Sequence, residues 1–176
     1  IRDALNKGCT EFIIGIGGSA TNDAGIGMLQ ALGFRFMDAA GKELGAGGEM
    51  MEKVDSIDDA SIHPKLRDAH FVVACDVQNP FYGPNGAAHV YARQKGADDA
   101  MIATLDKGLR SFAQILQKET GKDIGPIPGS GAAGGMGGGM MALLNAELRS
   151  GADLLLDVCH FKERIADASL IITGEG

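Results

Sequence analysis

FIIGIGGSATND, residues 12–23, is the stretch on which the fold turns. Its first five residues are apolar and rich in β-branched side chains, which predicts a buried strand. Gly17 and Gly18 follow, where a backbone free of Cβ atoms can turn sharply and let a ligand come close. Ser19, Thr21, Asn22 and Asp23 then crowd the point at which a helix should begin. Amide N–H groups at a helix start lack partners of their own and attract anions, phosphate above all. The stretch therefore predicts an anion site at the carboxyl end of a strand in an α/β sheet.

Working outward, residues 1–7 read as a helix closed by Gly8, and residues 22–32 as a helix stopped by Gly33. Gly25 and Gly27 weaken the second of these, so another backbone should pack closely on it. Alternation about Asp38 predicts a β-hairpin over 34–44, and a short buried strand over 71–75 ends at Asp76. The clearest helix covers 98–119, with Ile102, Leu105, Leu109, Phe112 and Leu116 spaced by three and four and Gly121 beyond its end. GSGAAGGMGGG, 129–139, should open a helix running through 140–149. A strand over 154–158, a short helix over 161–168 and a strand over 170–173 complete the pattern. The expected class is α/β: a mostly parallel sheet with flanking helices and an antiparallel hairpin.

A chain of 176 residues has room for one good core or two small ones. The net charge of −7 argues against nucleic acid or an anionic membrane as partner, so any phosphate site must be built from local donors. Cys9, Cys75 and Cys159 form no C-x-x-C pair, which suits a reducing cytosol better than a disulfide framework. No apolar run approaches the ~20 residues of a membrane span, and no signal peptide is evident. A cytoplasmic protein is expected. The absence of an initiator Met and the stop at Gly176 suggest a piece of a longer chain.

GIGGSA at 15–20 fits a loose dinucleotide fingerprint, with Asp38 twenty residues past Gly18. Asp38 falls in the predicted hairpin turn rather than at the end of a parallel strand, which disfavours that reading. The 129–139 loop follows Pro126 and Pro128 and carries no Lys-Ser or Lys-Thr, so it is neither a Rossmann turn nor a Walker A loop. It reads as a second anion-binding loop or a domain hinge. Asp76 stands where α/β sites collect their ligands, while Cys75 reads as inert packing. The four histidines have no metal-ligand spacing; Asp76, Asp157 and Glu175 could approach Mg²⁺, which needs few carboxylates beside substrate phosphates.

GIGGSATNDAGIGMLQALG from Gly15, ACDVQNP from Ala74, RQKGA from Arg93, GSGAAGGMGGG from Gly129 and IITGEG from Ile171 together resemble the bacterial type 1 glycerate kinases. Ala92-Arg93 departs from the Gly-Pro that many such proteins carry before QKGA. The resemblance implies ATP-dependent phosphorylation of D-glycerate, at the 2-hydroxyl to give 2-phosphoglycerate, with Mg²⁺. It also implies two α/β domains: 1–33 as a flank of a flavodoxin-like domain, 34–166 as an inserted domain, and 167–176 as the return. A homodimer is compatible with it.

On this reading Asp76 accepts the attacking hydroxyl's proton or holds Mg²⁺, with Asp23 second, and Lys95 neutralises charge on the transferred phosphoryl. Contacts to substrate or phosphate are expected from Gly17, Gly18, Ser19, Thr21, Asn22, Asn79, Arg93, Gly131, Gly134, Gly135, Thr173 and Gly174, with Glu175 as a second Mg²⁺ ligand. The competing readings are a nucleotide-linked oxidoreductase and a non-catalytic module that binds small anions.

Overall fold

A computed structural model of the chain describes residues 1–174. Three parallel strands carry the site: β1 (Glu11–Gly15), β4 (His70–Ala74) and β5 (Glu147–Arg149), in the order β1-β4-β5. Gly15 pairs with Ala74 and Ala74 with Arg149, so all three strands end level. Their outgoing loops share one edge, the edge at which open α/β sheets take ligands. An antiparallel pair, β2 (Arg35–Met37) with β3 (Ser56–Asp58), stands apart from this sheet.

Six helices accompany the strands among the described residues: α1 (Arg2–Asn6), α2 (Ile26–Ala31), α3 (Asp99–Thr120), α4 (Met136–Leu143), α5 (Gly151–Val158) and α6 (Phe161–Arg164). The long α3 organises the core. Asp98 caps it by accepting the Met101 N–H at 2.8 Å, and Gly121 ends it in the left-handed conformation. Its buried stripe of Ile102, Leu109, Phe112 and Leu116 belongs to one core with Phe36, Met51 and Phe81, and the Phe36 and Phe112 rings meet edge to face at 5.8 Å.

Close backbone packing occurs near α2, though its tightest points lie outside Gly25 and Gly27. A Cβ on Gly139 would sit 2.1 Å from the Ala24 carbonyl oxygen, and one on Gly134 would sit 2.2 Å from that of Thr21. The glycine-rich stretch thus seats one loop directly on the other.

Several expectations change. The helix predicted over 22–32 starts only at Ile26, because Asp23 accepts the Gly25 and Gly27 amides and Gly25 is left-handed. The hairpin about Asp38 reduces to a single bridge between Met37 and Glu43, and the true partner of β2 is the short β3. The helix predicted through 140–149 stops at Leu143; Asn145 takes a positive φ and the chain enters β5. Residues 154–158 are helical, not extended: Ser150 caps α5, and only Leu154 of that apolar run is buried. A short apolar run does not by itself separate a strand from a helix. Residues 170–173 form no strand and are exposed, with no neighbouring strand beside them among the described residues. Strand β1, in the segment expected as a flank, pairs with β4, in the segment expected as an inserted domain.

Candidate active site

Beyond β1 the chain passes through Gly17 and Gly18, whose amides donate to no protein acceptor among the described residues. Gly18 has φ +65°, and a Cβ there would meet nothing within 4 Å. Backbone conformation, not space, calls for glycine at that position. The result is a pair of exposed amides at the end of a parallel strand.

Lys95 is brought to this turn from far along the chain. A π-helical turn (Ala88–Ala92) with buried Ala88 and Ala92 leads into a 3₁₀ turn (Arg93–Lys95), and Gly96 ends it at φ +97°. The Lys95 ammonium donates to Ser19 Oγ at 2.8 Å and to the Thr21 carbonyl at 2.5 Å. Both acceptors are neutral, and no carboxylate lies within ion-pairing distance among the described residues. Burial holds its pKa below the ordinary lysine value, with the negative charge of Asp23 pulling weakly the other way. The same turn thus holds a half-buried cation with no carboxylate partner among the described residues and two open amides, a donor chemistry that favours anions.

Asp76 leaves β4 next to this turn. Its Oδ1 accepts the Gly151 N–H, the first amide of α5, at 2.8 Å, while Oδ2 accepts no hydrogen bond from the protein among the described residues. A Cβ on Gly151 would lie 2.9 Å from Oδ2, so glycine at that position makes room for the carboxylate.

Asp76 also stands between two clefts. One, of about 330 Å³, is lined by Gly17, Gly18, Ser19, Asp76, Tyr91 and Gln94 among others. Its neighbour, of about 390 Å³, lies between Asp76, Gln78, Gly129, Arg149 and Ser150. Cys75 lines both, its thiol directed at the carbonyls of Val77 and Gly129 at 3.5 and 3.9 Å. A larger groove of about 430 Å³, between Phe34, Leu66 and Leu144, contains none of the residues expected at the site.

The remaining candidates take other places. Asp23 is buried with both oxygens engaged by the Gly25 and Gly27 amides, so it closes the start of α2. Asn22 lies under the turn with its side-chain N and O buried and unpaired, and Thr21 contributes its carbonyl to Lys95. Asn79 accepts from the Tyr91 hydroxyl at 2.6 Å and donates to the Asn85 carbonyl, while its own carbonyl receives the Gly129 and Gly131 amides. Arg93 pairs with Asp99 at the start of α3 instead of facing the cleft. Gly131, Gly134 and Gly135 are buried, and the amides at the start of α4 bond back into their own loop, as Gly137 to Ala132 and Gly138 to Ser130. Only the Ala133 and Gly134 amides of this loop lack an acceptor among the described residues, and Ala132 and Ala133 line the smaller cleft. Thr173 and Gly174 are exposed and line neither cleft, and Glu175 lies outside the described residues. Asp157 is on α5, paired with Arg149. Asp38 Oδ1 accepts the Ala40 and Lys42 amides, both at 2.9 Å, which places the residue in a local turn and not at the end of a parallel strand, where a dinucleotide reading requires its acid.

Three residues outside the expected site set stand at the cleft or behind it. Tyr91 and Gln94 line the cleft; burial raises the Tyr91 phenol above its ordinary range, and the Cys75 sulfur adds to it. Asp106, buried on α3, accepts the Gly83 N–H at 2.6 Å and so anchors the start of the loop carrying Lys95. Gln94 adjoins Lys95 in RQKGA and could have been found that way; nothing in the sequence marked Asp106.

No cluster of three His, Cys, Asp or Glu side chains able to hold a metal exists among the described residues. The donor set suits Mg²⁺ only where one carboxylate, Asp76 Oδ2, joins substrate phosphates, which is the usual arrangement in phosphoryl-transfer sites. No helix among the described residues is long and apolar enough to cross a membrane.

Sheet, glycine turn and lysine define an α/β protein with a cleft at the carboxyl edge of its parallel strands, where Lys95 is bonded to the turn through Ser19. The glycerate kinase family model matches residues 1–176, and the chain belongs to that family. It is 48% identical to glycerate 2-kinase of Escherichia coli K12 over 176 residues, which is 100% of this chain and 46% of the relative. It is 47% identical to a glycerate kinase of Halalkalibacterium halodurans over 99% of this chain and 46% of that one. A crystal structure from Salmonella typhimurium LT2, provisionally named glycerate kinase 2, superposes with a TM-score of 0.92 at 46% identity, covering 99% of this chain and 47% of that one. The chain thus spans about half the length of the curated relatives it matches.

Proposed function

We propose that this chain supplies the hydroxy-acid and phosphoryl-transfer site of an ATP-dependent D-glycerate kinase that makes 2-phosphoglycerate. The observation that carries the reading is the unneutralised Lys95 ammonium held against Ser19 beside the open Gly17 and Gly18 amides, next to the free oxygen of Asp76. The substrate's 2-hydroxyl oxygen attacks the γ-phosphorus of ATP, the β–γ bridging bond breaks, and ADP leaves. Asp76 Oδ2 takes the hydroxyl proton. Lys95 offsets negative charge at the turn, and transfer rests on positioning and electrostatics more than on covalent chemistry. Holding Mg²⁺ against the substrate phosphates is the alternative role of Asp76 Oδ2: with the ion bound there, Asp76 would be its protein ligand instead of the proton acceptor.

The test follows ADP formation by the complete enzyme from ATP and D-glycerate, with and without Mg²⁺, and then presents the isolated product to enolase in Mg²⁺ buffer. The expected product feeds enolase directly. A product that reaches enolase only through a mutase would place the phosphate on the 3-hydroxyl and refute the stated position. Absence of ADP formation would reject the kinase reading altogether.

A further inference from the structure

Among the polar side chains lining the smaller cleft, all but one already have protein partners. Ser19 Oγ receives Lys95, and the Tyr91 hydroxyl is given to Asn79. The Cys75 thiol faces two carbonyls, and Asp76 is tied through Oδ1 to Gly151. Gln94 lines the same cleft and makes no hydrogen bond to any described residue, so its amide offers both donors and an acceptor to whatever occupies the space.

We infer that Gln94 is a specificity-determining residue that reads the hydroxyl of D-glycerate that is not phosphorylated. The inference rests on the kinase reading above and deepens it by placing the hydroxy acid, rather than the nucleotide, in this cleft. Charge matching supports the placement. Two open amides in the lining, with an ammonium behind them bonded to the lining residue Ser19, suit a single carboxylate, whereas the cation of the neighbouring cleft, Arg149, is already paired with Asp157.

The substrate then has three different contacts. Its carboxylate meets Lys95 and the Gly17 and Gly18 amides, its 2-hydroxyl meets Asp76 Oδ2, and its 3-hydroxyl meets the Gln94 amide. Three unlike contacts on one carbon skeleton also distinguish the two enantiomers. A site that hydrogen-bonds a substrate hydroxyl discriminates against the analogue lacking it, because the analogue leaves that group unpaired or to water.

The experiment crosses the side chain with the hydroxyl. D-Lactate differs from D-glycerate by loss of the 3-hydroxyl, and its affinity is measured as a competitive inhibition constant against D-glycerate. In the complete enzyme, Gln94→Leu should raise the KM for D-glycerate by about tenfold, the scale of one neutral hydrogen bond. D-Lactate inhibition should be unchanged or tighter, and the KM for ATP should not move. Gln94 is exposed, so the variant keeps its fold, and an unchanged melting temperature checks this. Gln78, which lines the other cleft and likewise has no partner among the described residues, is the control: Gln78→Leu should leave the glycerate-to-lactate ratio as it was.

A ratio altered less than twofold by Gln94→Leu overturns the inference, as does a ratio that responds to Gln78→Leu instead. A rise in the KM for ATP alone overturns it too, since Gln94 would then serve the nucleotide. In all three cases the kinase reading survives. Failure of the unaltered enzyme to phosphorylate D-glycerate removes both together.

Discussion

Gly151→Ala separates the position of Asp76 from the stability of the fold. The added Cβ would lie 2.9 Å from Asp76 Oδ2 and 3.7 Å from its Cγ and Oδ1. Ordinary contact begins near ~3.4 Å, so the carboxylate tip must move by roughly half an ångström or more. The obstructing atom is the end of a flexible side chain at an exposed position, so the backbone need not follow. Two small terms then oppose each other. Weakening the Gly151 N–H to Asp76 bond costs about 1 kcal/mol at an exposed site, while alanine in place of glycine in a helix returns about 0.5–1 kcal/mol. Stability should change by less than about 1 kcal/mol, a few degrees in melting temperature for a chain of this size.

Catalysis should respond far more strongly. A positioned base contributes roughly 10²–10⁴-fold, and displacement on the ångström scale can remove about 10² of it. The expected outcome is a ten- to hundredfold fall in kcat for D-glycerate with a nearly unchanged melting curve. Adding Gly151→Ala to Asp76→Asn should cause little further loss, because both act on the same carboxylate. Wild-type turnover in the single variant, with the fold intact, would refute the role given to Asp76.

Other outcomes can be checked in the same protein. Anion binding requires protonated Lys95, whose pKa burial holds below the ordinary lysine value. Sulfate affinity should therefore decline with rising pH before the usual lysine range is reached, and Lys95→Met should flatten the profile; calorimetric constants independent of pH would contradict this. The stability sign is the opposite. Between the lowered pKa and about 10.5 the unfolded chain binds more protons, so the Lys95 contribution makes stability rise with pH across that window, and Lys95→Met removes that part of the slope. Gly139→Ala places a Cβ 2.1 Å from the Ala24 carbonyl oxygen, which is backbone and cannot swing aside. A loss of about 1–3 kcal/mol or more is expected in denaturant unfolding, and an unchanged midpoint would refute the tight seating of the two loops.

Much of the framework was legible locally. Periodicity marked α3 together with its caps, and the β-branched run before Gly17 marked β1, because both signals are carried by near neighbours in sequence. The glycine turn was legible for the same reason, and its Gly17 and Gly18 amides are left without protein acceptors among the described residues. Where two local signals competed, the reading failed. The apolar 154–158 run suits a strand as well as a helix, and the decision lay with Ser150 and Asp76 at its start. The 129–139 glycines looked like a phosphate loop, yet most of their amides bond within the loop or to the Asn79 carbonyl, and the bare Cα atoms of Gly134 and Gly139 admit the Thr21 and Ala24 carbonyls.

By itself, then, the sequence determined which elements form wherever period and capping agree, and it singled out Gly17, Gly18, Asp76 and Lys95 as chemical candidates. Only tertiary structure decided how they meet. The Lys95 to Ser19 contact spans 76 residues and the Gly151 to Asp76 contact 75, distances over which no periodicity carries information. Parallel pairing of β1, β4 and β5 brings three remote loops to one edge, and packing on α3 delivers the lysine to it. Charge, burial and open amides coincide there because the chain has closed on itself, and that closure is a property of the whole core.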